Sequence, residues 1–316
     1  MKIAFYNGKI CIRGTSNALY DYAHFNETIL GNKSIIISKT DEEHDKKGLE
    51  KYKSRFQLFF CKDLEEVEQL LLKQEINVLY CIKYGKNDGF YSRRIKTVIH
   101  CVFDMSEPHG DIYAGVSKDL ASKFNSSLFV PHMISLVPSY SKANLREKLN
   151  IPRNAIVFGR YGGMDTFNLD FCWKAIERIL KNRSDIYFLF INTPEVYKHS
   201  RIINLPTITE DRDKNEFIST CDAHLECGSL GHTFGLAIGE FSVNNKPVIA
   251  YNGPVWNSAH LSILGDKGLY YKNEDEFYNI LNTFDPKVYL GCDLNCYRKY
   301  DPETVMKIFS KVFLNR

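Results

Sequence analysis

The sequence predicts two consecutive Rossmann-like α/β domains. Three observations carry this: a length of 316 residues, strand-like runs alternating with amphipathic helices almost throughout, and a polar, proline-flanked break near the middle. A chain of this length exceeds the size at which a single hydrophobic core usually stops growing. Alternation of this kind marks parallel sheets covered by helices on both faces.

In the first half the predicted strands are Ile3 to Tyr6, Ser34 to Ser38, Gln57 to Cys61, Val78 to Ile82, Val98 to Phe103 and Ile112 to Val116. The clearest helix between them runs from Asp63 to Lys73. Asp63 caps it, Glu65 and Glu66 suit its positive end, and Leu64, Val67 and Leu71 share one face. A second half opens at Ala155 with an apolar strand and continues through Tyr187 to Ile191, Ala223 to Cys227 and Val248 to Tyr251. Helices are centred near residues 175, 217, 239, 279 and 308. The expected organisation is a first domain over 1–138, a linker over 139–154 holding a short helical stretch from Asn144 to Leu149, and a second domain over 155–300. A final helix in 301–316 packs back on the first domain. In open sheets of this class ligands gather at the carboxyl ends of the strands, so two such domains facing across a cleft place the expected site there.

Composition narrows the function. Hydrophobic residues at 44% and charged residues at 25% are those of an ordinary globular chain and exclude a disordered one. The net charge of +3 comes from basic residues spread along the chain, which argues against a nucleic-acid partner. The nine cysteines form no Cys-x-x-Cys pair, and Cys61, Cys81 and Cys101 lie in apolar runs as small buried hydrophobes, so no metal is expected and a reducing, cytoplasmic compartment is. The chain starts directly on a strand and no run approaches eighteen apolar residues, so neither a signal segment nor a membrane span is expected.

The most informative stretch is Asp222 to Ala250, which reads as strand, glycine-bearing loop, helix, turn and strand. Gly231 and Gly235 permit close approach of backbone to a ligand. A helix starting near Thr233 or Phe234 offers unpaired N–H groups of partial positive charge, which suit a diphosphate. Glu240 projects from a largely apolar stripe of Leu236, Ala237 and Val243 and needs a partner: ribose hydroxyls in a nucleotide site, or a basic residue on a neighbouring element.

These residues resemble the donor-binding motif of retaining glycosyltransferases of family 4, whose fold is GT-B. The family pattern is Glu, seven residues, Glu, with Phe-Gly-Leu after the first acid. Here Phe234, Gly235, Leu236 and Glu240 match, while His232 stands at the first acid position. The resemblance implies that Glu240 holds the ribose and that His232 reads a different sugar, assists as a cation near the phosphate, or marks a weakened enzyme. Glu226, six residues before His232, raises the further expectation that acid and imidazole have exchanged places. A solvated loop histidine is the bland alternative for His232.

Other positions follow from the same resemblance. Arg160, ending the first strand of the second half, corresponds to an arginine that contacts the donor diphosphate, with Gly162 and Gly163 offering backbone N–H groups in place of the family's lysine. Gly14 and Thr15 match the glycine-bearing first loop. A catalytic histidine near the donor sugar is expected from the first domain, and either His100 or His109 would serve. His109 is favoured for its rigid Pro108–Gly110 setting, with Asp111 orienting its ring, whereas His100 equally suits a hydrogen-bonded core position.

The resemblance implies transfer of a sugar from a nucleotide diphosphate-sugar donor to a glycan or other hydroxyl acceptor, with retained configuration and without a metal or other cofactor. A nucleotide-sugar 2-epimerase-like isomerase and a non-catalytic sugar-nucleotide or glycan-binding protein are the alternatives.

Overall fold

The computed structural model describes residues 1–138 and 143–315; residues 139–142 of the expected linker lie outside the described residues. The chain divides into two compact units, Met1–Ser135 with Lys299–Arg316, and Leu136–Arg298.

Unit 1 contains β1 (Lys2–Tyr6), α1 (Gly14–Thr28), β2 (Lys33–Lys39), α2 (Lys46–Lys53), β3 (Gln57–Cys61), α3 (Leu64–Lys73), β4 (Val78–Lys83), β5 (Lys96–Cys101), β6 (Ile112–Gly115) and α4 (Lys118–Lys123). Its sheet has the order β3-β2-β1-β4-β5-β6 with every pair parallel. The central strands are buried almost end to end, as a parallel sheet covered on both faces requires. Asp63 does cap α3, accepting from Glu66 N at 3.0 Å, and Val67 and Leu71 are buried beneath it.

Unit 2 contains β7 (Ile156–Tyr161), α5 (Asp170–Asn182), β8 (Ile186–Ile191), β9 (Ile202–Leu205), α6 (Asp211–Thr220), β10 (Ala223–Glu226), β11 (Gly231–His232), α7 (Leu236–Val243), β12 (Val248–Tyr251), β13 (Asn257–Ser258), α8 (Ala259–Leu264), β14 (Leu269–Tyr271) and α9 (Glu274–Thr283). Its six-stranded sheet runs β14-β12-β10-β7-β8-β9, again all parallel. Counted from the first strand of each unit, both sheets have the Rossmann order 3-2-1-4-5-6, which reverses direction beside the first strand.

The predicted strands are present with ends moved by up to two residues; β9 and β14, short and only partly apolar, escaped the sequence reading. The stretch after Asn144 is turn rather than helix. Its Arg146 spans Ala155 O at 2.6 Å and Asp222 Oδ2 at 2.8 Å, which ties it to unit 2. After unit 2 the chain returns to unit 1 through α10 (Pro302–Phe309), capped by Asp301, whose Val305, Met306 and Phe309 join the first core with Phe313 and Leu314. No helix among the described residues is long and apolar enough to cross a membrane.

Candidate functional site

The reversal point of the unit 2 sheet lies between β7 and β10, and the carboxyl ends of these two strands carry Arg160 and Glu226. Gly159 allows the elements here to close up: a Cβ at this position would fall 2.1 Å from Cys221 Sγ. Strand alternation places His224 and Glu226 on one face of β10, and both are buried.

Glu226 meets His232. Its Oε2 lies 2.9 Å from Nε2 of His232, an ion-pair separation with the ring N–H off the line of a good hydrogen bond, while Oε1 accepts from Gly228 N at 2.9 Å. His224 Nε2 is 4.0 Å from the same carboxylate, and His260, at the start of α8, packs edge-on to His232 with ring centroids 5.2 Å apart. Burial alone would raise the Glu226 pKa, but His232, then His224 and Arg160, hold it at about 2. Burial opposes charge on His232, yet Glu226 outweighs it and the imidazole is raised above its ordinary 6.5. Burial drives His224 to about 3 and His260 to about 4, so these two are neutral. The result is an imidazole whose charged form is favoured by a buried carboxylate. Glu226 and His232 are therefore in contact, and His232 is not a solvated loop residue.

Arg160 is 1% exposed. Its terminal nitrogens donate to Asn192 O (3.1 Å), Thr193 Oγ1 (2.6 Å), Gly163 O (2.9 Å) and Thr166 Oγ1 (2.5 Å). The guanidinium thus folds the Gly162–Thr166 loop around itself, and Gly163 engages it through a carbonyl. Its Nε has no acceptor, nor do buried ring nitrogens of His224 and His260. A group of unsatisfied buried nitrogens at the reversal point of a parallel sheet is where a polar ligand belongs.

The predicted helix starts later than expected. Gly231 and His232 form β11, paired with β13, and α7 begins at Leu236 after Gly235, whose φ of 88° only glycine adopts readily. Thr233 and Phe234 are buried ahead of it, and the Phe234 carbonyl accepts from Tyr297 Oη at 2.7 Å. Glu240, in α7, finds protein partners: Lys214 Nζ of α6 at 2.8 Å and the hydroxyl of Tyr161 at the end of β7. The basic neighbour left open by the sequence is Lys214. The order Ala-His-Leu-Glu in β10 could have flagged His224 by its two-residue spacing from Glu226. His260, Lys214 and Tyr161 have no local signal, because only the fold brings them to the site.

In unit 1, Gly14 and Thr15 open α1 beside the loop after β1. His100 is a core residue. Its Nε2 lies 2.8 Å from Val130 O and must donate, so Nδ1 accepts from Tyr80 Oη at 2.6 Å; burial lowers its pKa to about 4. Both nitrogens are occupied and the ring is 0% exposed, which removes it from catalysis. His109 is also buried, with Nδ1 2.7 Å from Glu107 O and its ring against Tyr91 and Tyr113. Its loop leads into the amino end of the edge strand β6, not a carboxyl end. Asp111 does not orient it: Oδ2 accepts from Thr97 N at 2.7 Å, tying that loop to β5.

Neither a protein-family model nor any curated protein sequence matches the chain. Solved structures do. HepE of Anabaena in complex with UDP-glucose superposes with a TM-score of 0.75 at 14% identity, covering 98% of this chain and 99% of its own. The fold is GT-B. Two further glycosyltransferase-type structures agree over nearly full length: a glycosyltransferase from Rickettsia africae (TM-score 0.68, 14% identity, 99% of this chain and 94% of that one), and sucrose-phosphate synthase from Thermosynechococcus elongatus (TM-score 0.70, 11% identity, 100% of both). In this GT-B chain both six-stranded parallel sheets are accounted for.

Proposed function

We propose that this chain is a glycosyltransferase that moves a sugar from a nucleoside diphosphate-sugar to an acceptor hydroxyl, with retention of configuration and without a metal ion, in the cytoplasm. The observation that carries the reading is the His232–Glu226 pair with the unsatisfied Nε of the buried Arg160, at the reversal point of a sheet whose GT-B neighbours include structures holding UDP or UDP-glucose.

In the proposed reaction the acceptor oxygen bonds to the anomeric carbon and the bond from that carbon to the diphosphate breaks. Its electron pair goes to the phosphate oxygen, and the acceptor proton passes to the departing diphosphate. Negative charge grows on the leaving group, so fixed positive groups there lower the barrier. Arg160 Nε and the His232 imidazolium would supply that charge where a metal otherwise does. Glu240, which accepts from Lys214 and Tyr161, retains further lone pairs for the ribose hydroxyls.

The test is calorimetric titration of UDP and UDP-glucose into the protein and its Glu240→Ala variant, followed by UDP release with an acceptor panel in the presence of EDTA. Losing a charge-assisted bond predicts about tenfold or more weaker nucleotide binding in the variant. Unchanged affinity removes the ribose role. Turnover of UDP-N-acetylglucosamine without acceptor would identify an epimerase, and donor binding without transfer or hydrolysis a binding protein.

A further inference from the structure

The sheet of unit 1 also reverses direction, between β1 and β4, and at that point lies an open cavity of about 390 Å3. Tyr6 of β1, Lys39 of β2 and Ile82 of β4 reach it from the carboxyl ends of their strands. The volume falls within the range of about 300–1,000 Å3 typical of small-molecule sites, at the position where open parallel sheets bind their ligands.

Its chemistry is set by the loop between β1 and α1. That loop is wound around Ser16 Oγ, which accepts from Asn7 Nδ2 at 2.9 Å and Cys11 N at 3.1 Å and donates to Lys9 O at 3.3 Å. The backbone of Lys9 is thereby pinned at the wall, and Arg13 follows at the start of α1. Lys9, Arg13 and Lys39 all line the cavity, and among the described residues none has a carboxylate within ion-pair distance. The other cation, Lys83, is neutralised by Asp88 at 2.5 Å. Glu42 is the remaining lining acid, leaving three unpaired cations to one carboxylate. α1, fifteen residues long, adds a start with no side-chain cap and no acid in its first turn.

The rim is aromatic. Tyr84 and Phe103 pack on each other with ring centroids 5.4 Å apart, yet remain 60% and 42% exposed. Exposed rings beside a polar cavity give a surface for the apolar face of a sugar, while an arginine and two lysines in a concavity concentrate anions.

We propose that this cavity binds an anionic saccharide, a sugar bearing a phosphate or a carboxylate, and that this is the acceptor. The acceptor role rests on the transfer reading above; the binding does not. The guanidinium of Arg13 and the ammonium of Lys39 hold the anion, and the Tyr84–Phe103 pair carries the ring.

The test is calorimetry on the full chain with glucose 6-phosphate, glucuronate, glucose and inorganic phosphate, with UDP titrated separately into the same samples. At least one charged sugar is expected to bind, with neutral glucose about tenfold weaker or worse, as loss of a charge-assisted contact implies. Preference for glucose 6-phosphate assigns a phosphate to the natural ligand, and preference for glucuronate a carboxylate. The Arg13→Gln, Lys39→Met double variant, altered only at exposed or half-buried positions, should lose about tenfold in charged-sugar affinity and keep its UDP affinity. Three results would overturn the proposal: no charged sugar binding at millimolar concentration, binding undiminished in the double variant, or inorganic phosphate binding as tightly as either sugar. Charged-sugar binding in a chain that does not bind UDP would sink the transfer reading and leave the cavity assignment standing.

Discussion

Replacing Glu226 by Gln keeps the acceptor for Gly228 N and the shape of the side chain while removing the charge beside His232. Holding this carboxyl at about 2 instead of its ordinary 4.5 corresponds to about 3 kcal/mol in favour of the folded state at pH values above 4.5. Its contribution is lost as pH falls through about 2. The His232 side has the opposite sign: its folded pKa is raised, so its contribution is complete below 6.5 and is lost as pH climbs through the raised value. The ion pair is therefore strongest between 4.5 and 6.5. Thermal unfolding at about pH 5.5 should show the variant melting roughly 6–12 °C below wild type, from about 2–4 °C per kcal/mol for a unit of this size. As pH rises through the raised His232 value, wild type loses the pair as well, and the gap between the two melting curves should narrow. Equal melting temperatures at the lower pH, or a gap that stays constant across the range, would refute the imidazolium–carboxylate assignment.

Further outcomes follow from the same geometry. His232→Glu puts a second carboxylate against Glu226 and should destabilise the protein by about 1–3 kcal/mol; the double exchange Glu226→His, His232→Glu restores opposite charges and should recover most of that loss in chemical denaturation. A double variant no more stable than the single one would mean that the two positions do not act as a pair. Gly159→Ala forces a Cβ to within 2.1 Å of Cys221 Sγ and should cost about 1–3 kcal/mol or more by overpacking, read as a lower urea midpoint. His100→Leu strands the Tyr80 hydroxyl and the Val130 carbonyl, at about 1–3 kcal/mol for each buried group left unsatisfied. A variant as stable as wild type would contradict the core assignment of this histidine.

What the sequence determined by itself was local and periodic. The runs Ile3 to Tyr6 and Val78 to Ile82 are continuous apolar segments because strands of a covered parallel sheet are buried on both faces, and that pattern survives without any tertiary information. Asp63 is legible as a cap because its partner, Glu66 N, is three residues away. Gly235 is legible because its backbone conformation excludes most other residues. The nearness of Glu226 and His232 was within reach for the same reason, since they lie only six positions apart. Tertiary structure decided what depends on long-range neighbours. Glu240 takes Lys214 and Tyr161, 26 and 79 residues away. His100 has its ring filled by Tyr80 and Val130, and Asp111 turns from His109 to Thr97. A polar side chain declares in sequence that it needs a partner, but which partner satisfies it is fixed only when the chain has folded and the desolvation cost of leaving it unpaired has to be met.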